Sequence, residues 1–347
     1  MSLSIGAVLN NRYRLERLLG QGGFGAVYLA LDQELGIACA VKENLNASAQ
    51  AERQFRREAA LLAALRHPNL PRVTDHFVLA GHQYLVMDYV EGDDLQQHLD
   101  QGGPPAEADV LRWAGQLCDA LSYLHTRTPP VIHRDIKPAN IKITPAGDAV
   151  LVDFGIAKVF EAGQKTMTGA AGLTSGYAPP EQYQLGNTDG RTDEYALAAT
   201  LYHLATGRRP PDSVERLIGQ ATLIEPEQLR PELSPHLAAA IRQALEIRPE
   251  RRFATLAEFQ AALRDPTFRH ALETAPTPVT RGRPEGLPVQ RPGATRPRWL
   301  GALLTAGLIG LLGGGWWAAA GAQPLTRLAG APALTATLST TRPPGTA

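Results

Sequence analysis

Three side chains of complementary chemistry fall within one short stretch, VIHRDIKPAN at Val131 to Asn140: a carboxylate (Asp135), an ammonium (Lys137) and a primary amide (Asn140). Pro138 keeps the stretch from being helical throughout, so the three can converge on one small volume. Transfer of a phosphoryl group to a hydroxyl needs such a set. A carboxylate orients the hydroxyl and accepts its proton, a cation sits near the transferring group, and an oxygen ligand holds a magnesium ion. The bland reading is a polar surface loop, which leaves the combination unexplained.

Further along, an apolar strand ends in Asp153-Phe154-Gly155, thirteen residues after Asn140. A carboxylate at a strand end, followed by a glycine that permits a bend, suits a metal ligand. Towards the N-terminus, a strand over Tyr13 to Leu19 feeds Gly20-Gln21-Gly22-Gly23-Phe24-Gly25-Ala26-Val27. A GxGxxG alone is weak, since dinucleotide-binding folds use one between a strand and a helix. Here the segment that follows, Ala26 to Leu31, is short, apolar and β-compatible, and it leads to a second apolar run ending at Lys42. The order is therefore strand, loop, strand, and the glycines let a hairpin close over phosphates with its N–H groups unhindered. An ordinary glycine-rich hairpin is the other reading. After Lys42, Ser48 caps a predicted helix to about Leu65, with Phe55, Ala59 and Leu62 on its inward face. Glu58 shares that face. A buried acid needs a cation, and Lys42 is the candidate.

These motifs, in this order and at these spacings, resemble those of bacterial eukaryotic-like (Hanks-type) serine/threonine protein kinases, and Lys137 resembles the serine/threonine-specific form of the catalytic loop. The resemblance runs from about residue 11 to 268. It implies an α+β, bilobal protein-kinase-like fold: a small β-rich N-lobe with one major helix (about 11–90) and a larger helical C-lobe (about 91–268). It also implies Asp135 as base and Lys137 as stabiliser of the γ-phosphate. Asn140 and Asp153 become magnesium ligands, with manganese as a substitute for magnesium. ATP is the implied nucleotide, anchored by Lys42, which Glu58 sets in place, and covered by Gly20, Gln21, Gly22, Gly23, Phe24, Gly25 and Val27. The strand His82 to Tyr89 becomes the hinge between lobes, with Met87 controlling access and Asp88 to Val90 offering backbone groups to adenine. Thr166 and Thr168 lie in a Gly/Ala-rich segment, 156 to 181, of mobile-loop composition. Arg134 beside the base calls for an anionic partner, and a phosphothreonine supplies one. By resemblance the Thr-x-Thr stands nine residues before Tyr177, so autophosphorylation is expected at Thr166 and Thr168. Leu173 stands where glycine is usual in the family, while Thr174, which bridges catalytic loop and substrate there, is retained. Glu181 with Arg252, and Asp193 on an apolar helix, match residues with structural roles. His133 is expected to be a packed loop residue.

Composition fits this reading. The chain has 347 residues with 34 basic and 34 acidic side chains, so no net field draws it to nucleic acid. Its two cysteines, Cys39 and Cys118, are far apart and show no zinc spacing, which fits a reducing compartment. The N-terminus lacks the pattern of a signal peptide.

The texture changes beyond Phe268. Residues 269–298 form a Pro/Arg-rich linker of disordered composition. Trp299 to Ala322 then gives 24 uncharged residues, against about 20 needed to cross a bilayer core. Five arginines between 281 and 298, against two after the span, predict that the kinase-like part is cytoplasmic and the tail, 323–347, outside. The expectation is a single-pass membrane protein in contact with the lipid bilayer. Gly310 and Gly314 form a small-xxx-small pair. A homodimer through the kinase domain or the span is one option, and protein substrates are the expected partners. Residues 1–10 are an N-terminal extension. The alternative from another class is a pseudokinase serving as a membrane scaffold, which requires a missing catalytic residue, and none is missing. A small-molecule phosphotransferase is a further rival, opposed by Lys137 and by the segment Tyr177 to Glu181.

Overall fold

The computed structural model describes residues 3–22, 25–44, 49–153, 174–183 and 188–269. All belong to the first of two compact units, Met1–Val279. Residues 270–347, with the predicted span at 299–322, lie outside the described residues. Among the described residues no helix is long and apolar enough to cross a membrane.

Alternating apolar residues build the smaller lobe. Val8–Leu9 (β1), Tyr13–Gly22 (β2), Gly25–Asp32 (β3), Ile37–Asn44 (β4), Val73–Leu79 (β5) and His82–Asp88 (β6) form a six-stranded sheet in the order β1-β2-β3-β4-β6-β5. Neighbours are antiparallel. The period-2 pattern divides each central strand between two faces. Cys39 and Val41 of β4, with Tyr84 and Val86 of β6, pack with Tyr13, Leu15 and Tyr28. Ala40, Leu85 and Met87 point the other way, into the cluster that holds Phe55, Ala59 and Leu62 of the helix Ala49–Ala63 (α1). The expected inward stripe of that helix is present, and its predicted cap Ser48 lies outside the described residues. Register shifts at Leu15/Arg17 and Leu18/Gly20 bend β2 just before its glycines. The N-terminal extension adds β1, which the sequence reading left out of the sheet, and Gly6 N–H donates to the Leu15 carbonyl at 2.8 Å.

The larger lobe is helical: Leu95–Gly102 (α2), Glu107–His125 (α3), Gly190–Thr206 (α4), Ser213–Leu217 (α5), Pro226–Leu229 (α6), Pro235–Ala244 (α7) and Leu256–Arg264 (α8). In α3 the residues Val110, Trp113, Leu117, Leu121 and Leu124, which recur at helical spacing, are all buried. Helix α4 differs in kind. It is buried almost all round, from Thr192 to Ala205, because the run YALAATLYHLA has no wide polar face, which makes it the lobe's central post. Asp189 caps its start through a reciprocal pair with Thr192, and Gly207, at φ 72°, ends it. A hairpin of Ile141–Ile143 (β7) and Ala149–Leu151 (β8) lies between α3 and α4 in the chain and directly follows the VIHRDIKPAN stretch.

Candidate active site

The stretch Val131 to Asn140 has no ladder to satisfy its backbone, so side chains do so. The buried carboxylate of Asp193, on α4, accepts from the backbone N–H of His133 at 2.8 Å and of Arg134 at 2.7 Å, and lies 2.8 Å from His125 Nε2. Gln182 donates to the Arg134 carbonyl at 2.9 Å. Held from both sides, Arg134 adopts φ 64°, a left-handed conformation that costs a non-glycine residue roughly 1–3 kcal/mol unless its surroundings fix it. Burial alone would push the Asp193 carboxyl up, but the bonds and charge of His125, aided by the Arg134 backbone, win and hold it below the usual range. The next residue shows the opposite result. Glu194 is equally enclosed and accepts from the Phe253 backbone N–H at 2.9 Å, and burial pushes its carboxyl up to about 8.

On this platform the three motif side chains meet. Lys137 Nζ lies 3.0 and 3.1 Å from the two carboxylate oxygens of Asp135 and donates to Thr174 Oγ1 at 3.1 Å. Asn140 Nδ2 donates to the Asp135 carbonyl at 2.7 Å and to its carboxylate at 2.9 Å. A single turn of 3-10 helix, Pro138–Asn140, brings the amide back over the acid. His133 is packed inside, as expected.

The second group comes from β4 and the end of β8. Val152 N–H donates to the Asn140 carbonyl at 2.8 Å, which ties the strand exit to the Val131 to Asn140 stretch one residue before Asp153. Asp153, like Arg134, lies in the left-handed region, at φ 63°, and its carboxylate pairs directly with Lys42 Nζ of β4. Residues from the two lobes, 111 positions apart, thus share one cleft.

The surrounding positions divide unevenly. Val27 packs against the same apolar cluster that contains Ala40 and Met87. Asp88 uses its N–H on the Arg72 carbonyl at 2.9 Å and its carboxylate on the Arg72 side chain, while the backbone groups of Val90 bond to nothing among the described residues. Gly20, Gln21 and Gly22 end β2, and a methyl group at Gly20 or Gly22 would meet no atom of the described residues within 4 Å. Gly25 is different: at φ 149° a Cβ would lie 1.8 Å from the Glu43 carbonyl oxygen, so that glycine is needed for β3 to approach β4. Gly23 and Phe24 lie outside the described residues, as do Leu173, Thr166 and Thr168. Glu58 sits in α1, but its side chain lies outside what is described, and so does its expected pairing with Lys42.

The oxygen chemistry fits a hard divalent cation. The Asn140 amide spends its nitrogen on Asp135 and keeps its oxygen, and Asp153 adds a partly exposed carboxylate. No cluster of three acidic, His or Cys ligands exists among the described residues, so such a cation would depend on phosphate oxygens as well.

One further feature lies deeper in the same lobe. Arg252 and Glu181 form a buried two-point pair, at 2.6 and 3.1 Å, and Arg252 also reaches the carbonyls of Glu246, Arg191 and Ile247. This is the pairing the sequence led us to expect. The sequence reading did not find the cleft next to Lys137, where Tyr177 OH bonds His203 Nδ1 at 2.7 Å, nor the part His125 plays beside Asp193. Their motifs carry no local signal, because each partner comes from a distant helix.

Comparison with known proteins agrees with this geometry. The protein kinase domain family matches residues 13–268. The serine/threonine-protein kinase PknB of Mycobacterium leprae is 36% identical over 268 residues, which cover 74% of this chain and 43% of that protein. PknA of Mycobacterium tuberculosis is 33% identical over 273 residues, 76% of this chain and 63% of that protein. This chain therefore matches less than two thirds of the length of these curated relatives. Among solved structures, the Mycobacterium tuberculosis PknI kinase domain superposes with a TM-score of 0.62 at 30% identity, covering 76% of this chain and 99% of that one. With the bilobal fold, the clamped loop and the family match in agreement, the chain belongs to the protein kinase domain family.

Proposed function

We propose that this protein transfers the γ-phosphoryl group of ATP to serine and threonine hydroxyls of other proteins. The observation that carries the reading is the contact of Lys137 with both Asp135 and Thr174, which joins acid, cation and substrate-facing threonine in one constellation. Asp135 orients the incoming hydroxyl and takes its proton as the oxygen bonds to the γ-phosphorus and the bond to the leaving ADP oxygen breaks. Lys137 offsets charge on the transferring group. Lys42 holds the nucleotide phosphates, Val90 presents unused backbone groups to the base, and Gly20, Gly22 and Gly25 form the hairpin above. When bound, magnesium neutralises phosphate charge, with Asn140 and Asp153 as its protein ligands. The scaffold alternative needs a missing catalytic residue, and Lys42, Asp135, Asn140 and Asp153 are all present.

The finer reading is activation by autophosphorylation at Thr166 and Thr168. Arg134 supports it: the guanidinium is desolvated, which pushes its pKa down, and it donates to Thr188 Oγ1 at 2.8 Å, in a setting where an added phosphate gains strength. Anchoring by residues 299–322 rests on their length and lack of charge.

The test is incubation of the full-length chain with magnesium-ATP and a generic protein acceptor, followed by phosphothreonine mapping. Wild type should label the acceptor and Thr166 or Thr168. Asp135→Asn should lose about 10²–10⁴-fold in turnover while nucleotide binding persists. An unlabelled acceptor, or equal labelling by both proteins, sinks the reading. Membrane fractionation of the full chain against one ending at Arg298 tests the anchor.

A further inference from the structure

Beside the catalytic loop lies a cleft of about 440 Å3, lined by Lys137 and Thr174 at its inner end and by Gln96, Tyr177, His203 and Arg209 further out. Among the described residues no carboxylate lines it, and the acid whose charge acts on His203 is Asp100. Its floor is fixed, since Tyr177 and His203 are joined at 2.7 Å. Burial, and then the charge of Arg209, push the His203 pKa down, so the imidazole is neutral at pH 7. The positive charge in the cleft therefore comes from Lys137 and Arg209. Lys137 is committed to Asp135. Arg209 forms no hydrogen bond or ion pair among the described residues, and the residue is exposed. Its stem is nonetheless anchored. Gly176, at φ 88°, lets the chain pass so close that a Cβ there would stand 2.9 Å from Arg209 Cγ.

An exposed arginine is most often merely solvated, and its position sets this one apart. A polypeptide whose hydroxyl sits at Asp135 must pass Lys137 and Thr174, and the cleft opens from that point. An arginine anchored by its stem and free at its head presents a planar fork suited to a carboxylate. A lysine or arginine on the incoming chain would meet like charge at Arg209, which no carboxylate pairs among the described residues.

We propose that this cleft is a substrate-selecting subsite in which Arg209 receives a carboxylate side chain, Asp or Glu, lying close in sequence to the hydroxyl that is phosphorylated. The inference rests on the protein-kinase reading above and deepens it by naming the class of substrate.

The test uses the full-length wild-type chain, Arg209→Met, which keeps the packed stem, and Arg209→Glu. Each is assayed with magnesium-ATP on peptides carrying one threonine, in which a single Glu, Ala or Lys is walked through the four positions on either side. The readout is the ratio of kcat/KM for the Glu and Ala peptides measured on the same preparation, so that a general loss of activity cancels. Wild type should favour Glu at one position by about 3–10-fold, mainly through KM, the range expected for a half-exposed charge-assisted pair. Arg209→Met should bring that ratio near unity, and Arg209→Glu should favour Lys at the same position. Wild type active on the peptides but without a Glu preference, or a preference that survives in both variants, overturns the subsite alone. Loss of all activity in both variants, Ala peptide included, assigns Arg209 a structural role and also overturns it. Wild type inactive on every peptide removes the kinase reading and the subsite together.

Discussion

The two lobes hold their functional groups by different means. In the sheet lobe the backbone does the positioning: Lys42 stands opposite Val27 on one side and Leu85 on the other, in ladders that any apolar strand can maintain. In the helical lobe the stretch around Asp135 has no ladder, and a buried carboxylate, a glutamine and, more deeply, an arginine–glutamate pair take over that work. Irregular backbone gives the acid its close approach to Lys137 and Asn140. It also requires charged groups to be desolvated beneath the loop, which is favourable only while every partner is present.

Removing one partner from that buried scaffold is the severest challenge to this contrast. Arg252→Met leaves Glu181 enclosed without its cation and should lower stability by about 3–5 kcal/mol. A double change to Arg252→Met with Glu181→Met should recover much of that loss. Urea unfolding of the two proteins checks the pair, and equal losses would show that the guanidinium acts through its carbonyl contacts instead.

The pH response should belong to the same lobe. Glu194 is pushed up from an ordinary 4.5 to about 8, so between those values the folded protein binds a proton that the unfolded chain releases. Its contribution to stability therefore falls as pH rises from about 4.5 to 8, by an amount on the order of 5 kcal/mol. Glu194→Gln should flatten that part of the profile, measured as unfolding midpoint against pH. A slope that persists in the variant would move its origin elsewhere.

Asp193→Asn sharpens the comparison at the loop itself. The amide retains one acceptor where two backbone N–H groups need one each, so a loss of about 1–3 kcal/mol is expected, together with a fall in turnover as Asp135 loses its fixed place. Hydrogen exchange at His133 and Arg134 would report the opening directly. Undiminished protection there would mean that Gln182 suffices to hold the stretch.

The sheet lobe should be gentler and more selective. Gly25→Ala drives a methyl group into the Glu43 carbonyl and should cost about 1–3 kcal/mol, whereas Gly20→Ala should stay within about 0.5 kcal/mol. Thermal unfolding of both distinguishes a glycine required by packing from one whose surroundings are open. If the two behave alike, the hairpin yields more readily than its register suggests.

The strands and main helices were legible because their patterns are local. The alternation along Gly25–Asp32 and the spacing of Val110, Trp113, Leu117, Leu121 and Leu124 each follow from one element with one buried side. The glycine hairpin was legible for a related reason, since a second apolar strand follows it directly in the chain. The strand Val8–Leu9 was not, because two residues carry no period and gain their place from β2. The cleft beyond Lys137 was equally silent: Tyr177, His203 and Arg209 become neighbours only when α4 and the segment after it turn back beside the loop. Cys118 gave no misleading signal; it fills a buried place on α3, and desolvation keeps its thiol unionised.

By itself the sequence determined the chemical kit and its order: an acid, a cation and an amide inside one proline-bearing loop, with backbone preferences that act over a few residues. The tertiary structure decided which distant groups complete it. Lys42 meets Asp153 across 111 positions, and Asp193 reaches back 60 residues to seize the His133 backbone. The reason is physical: periodicity and turn chemistry fix the local path of the chain, but which side chains meet across long loops depends on how two packed lobes and a buried helix come to rest against one another.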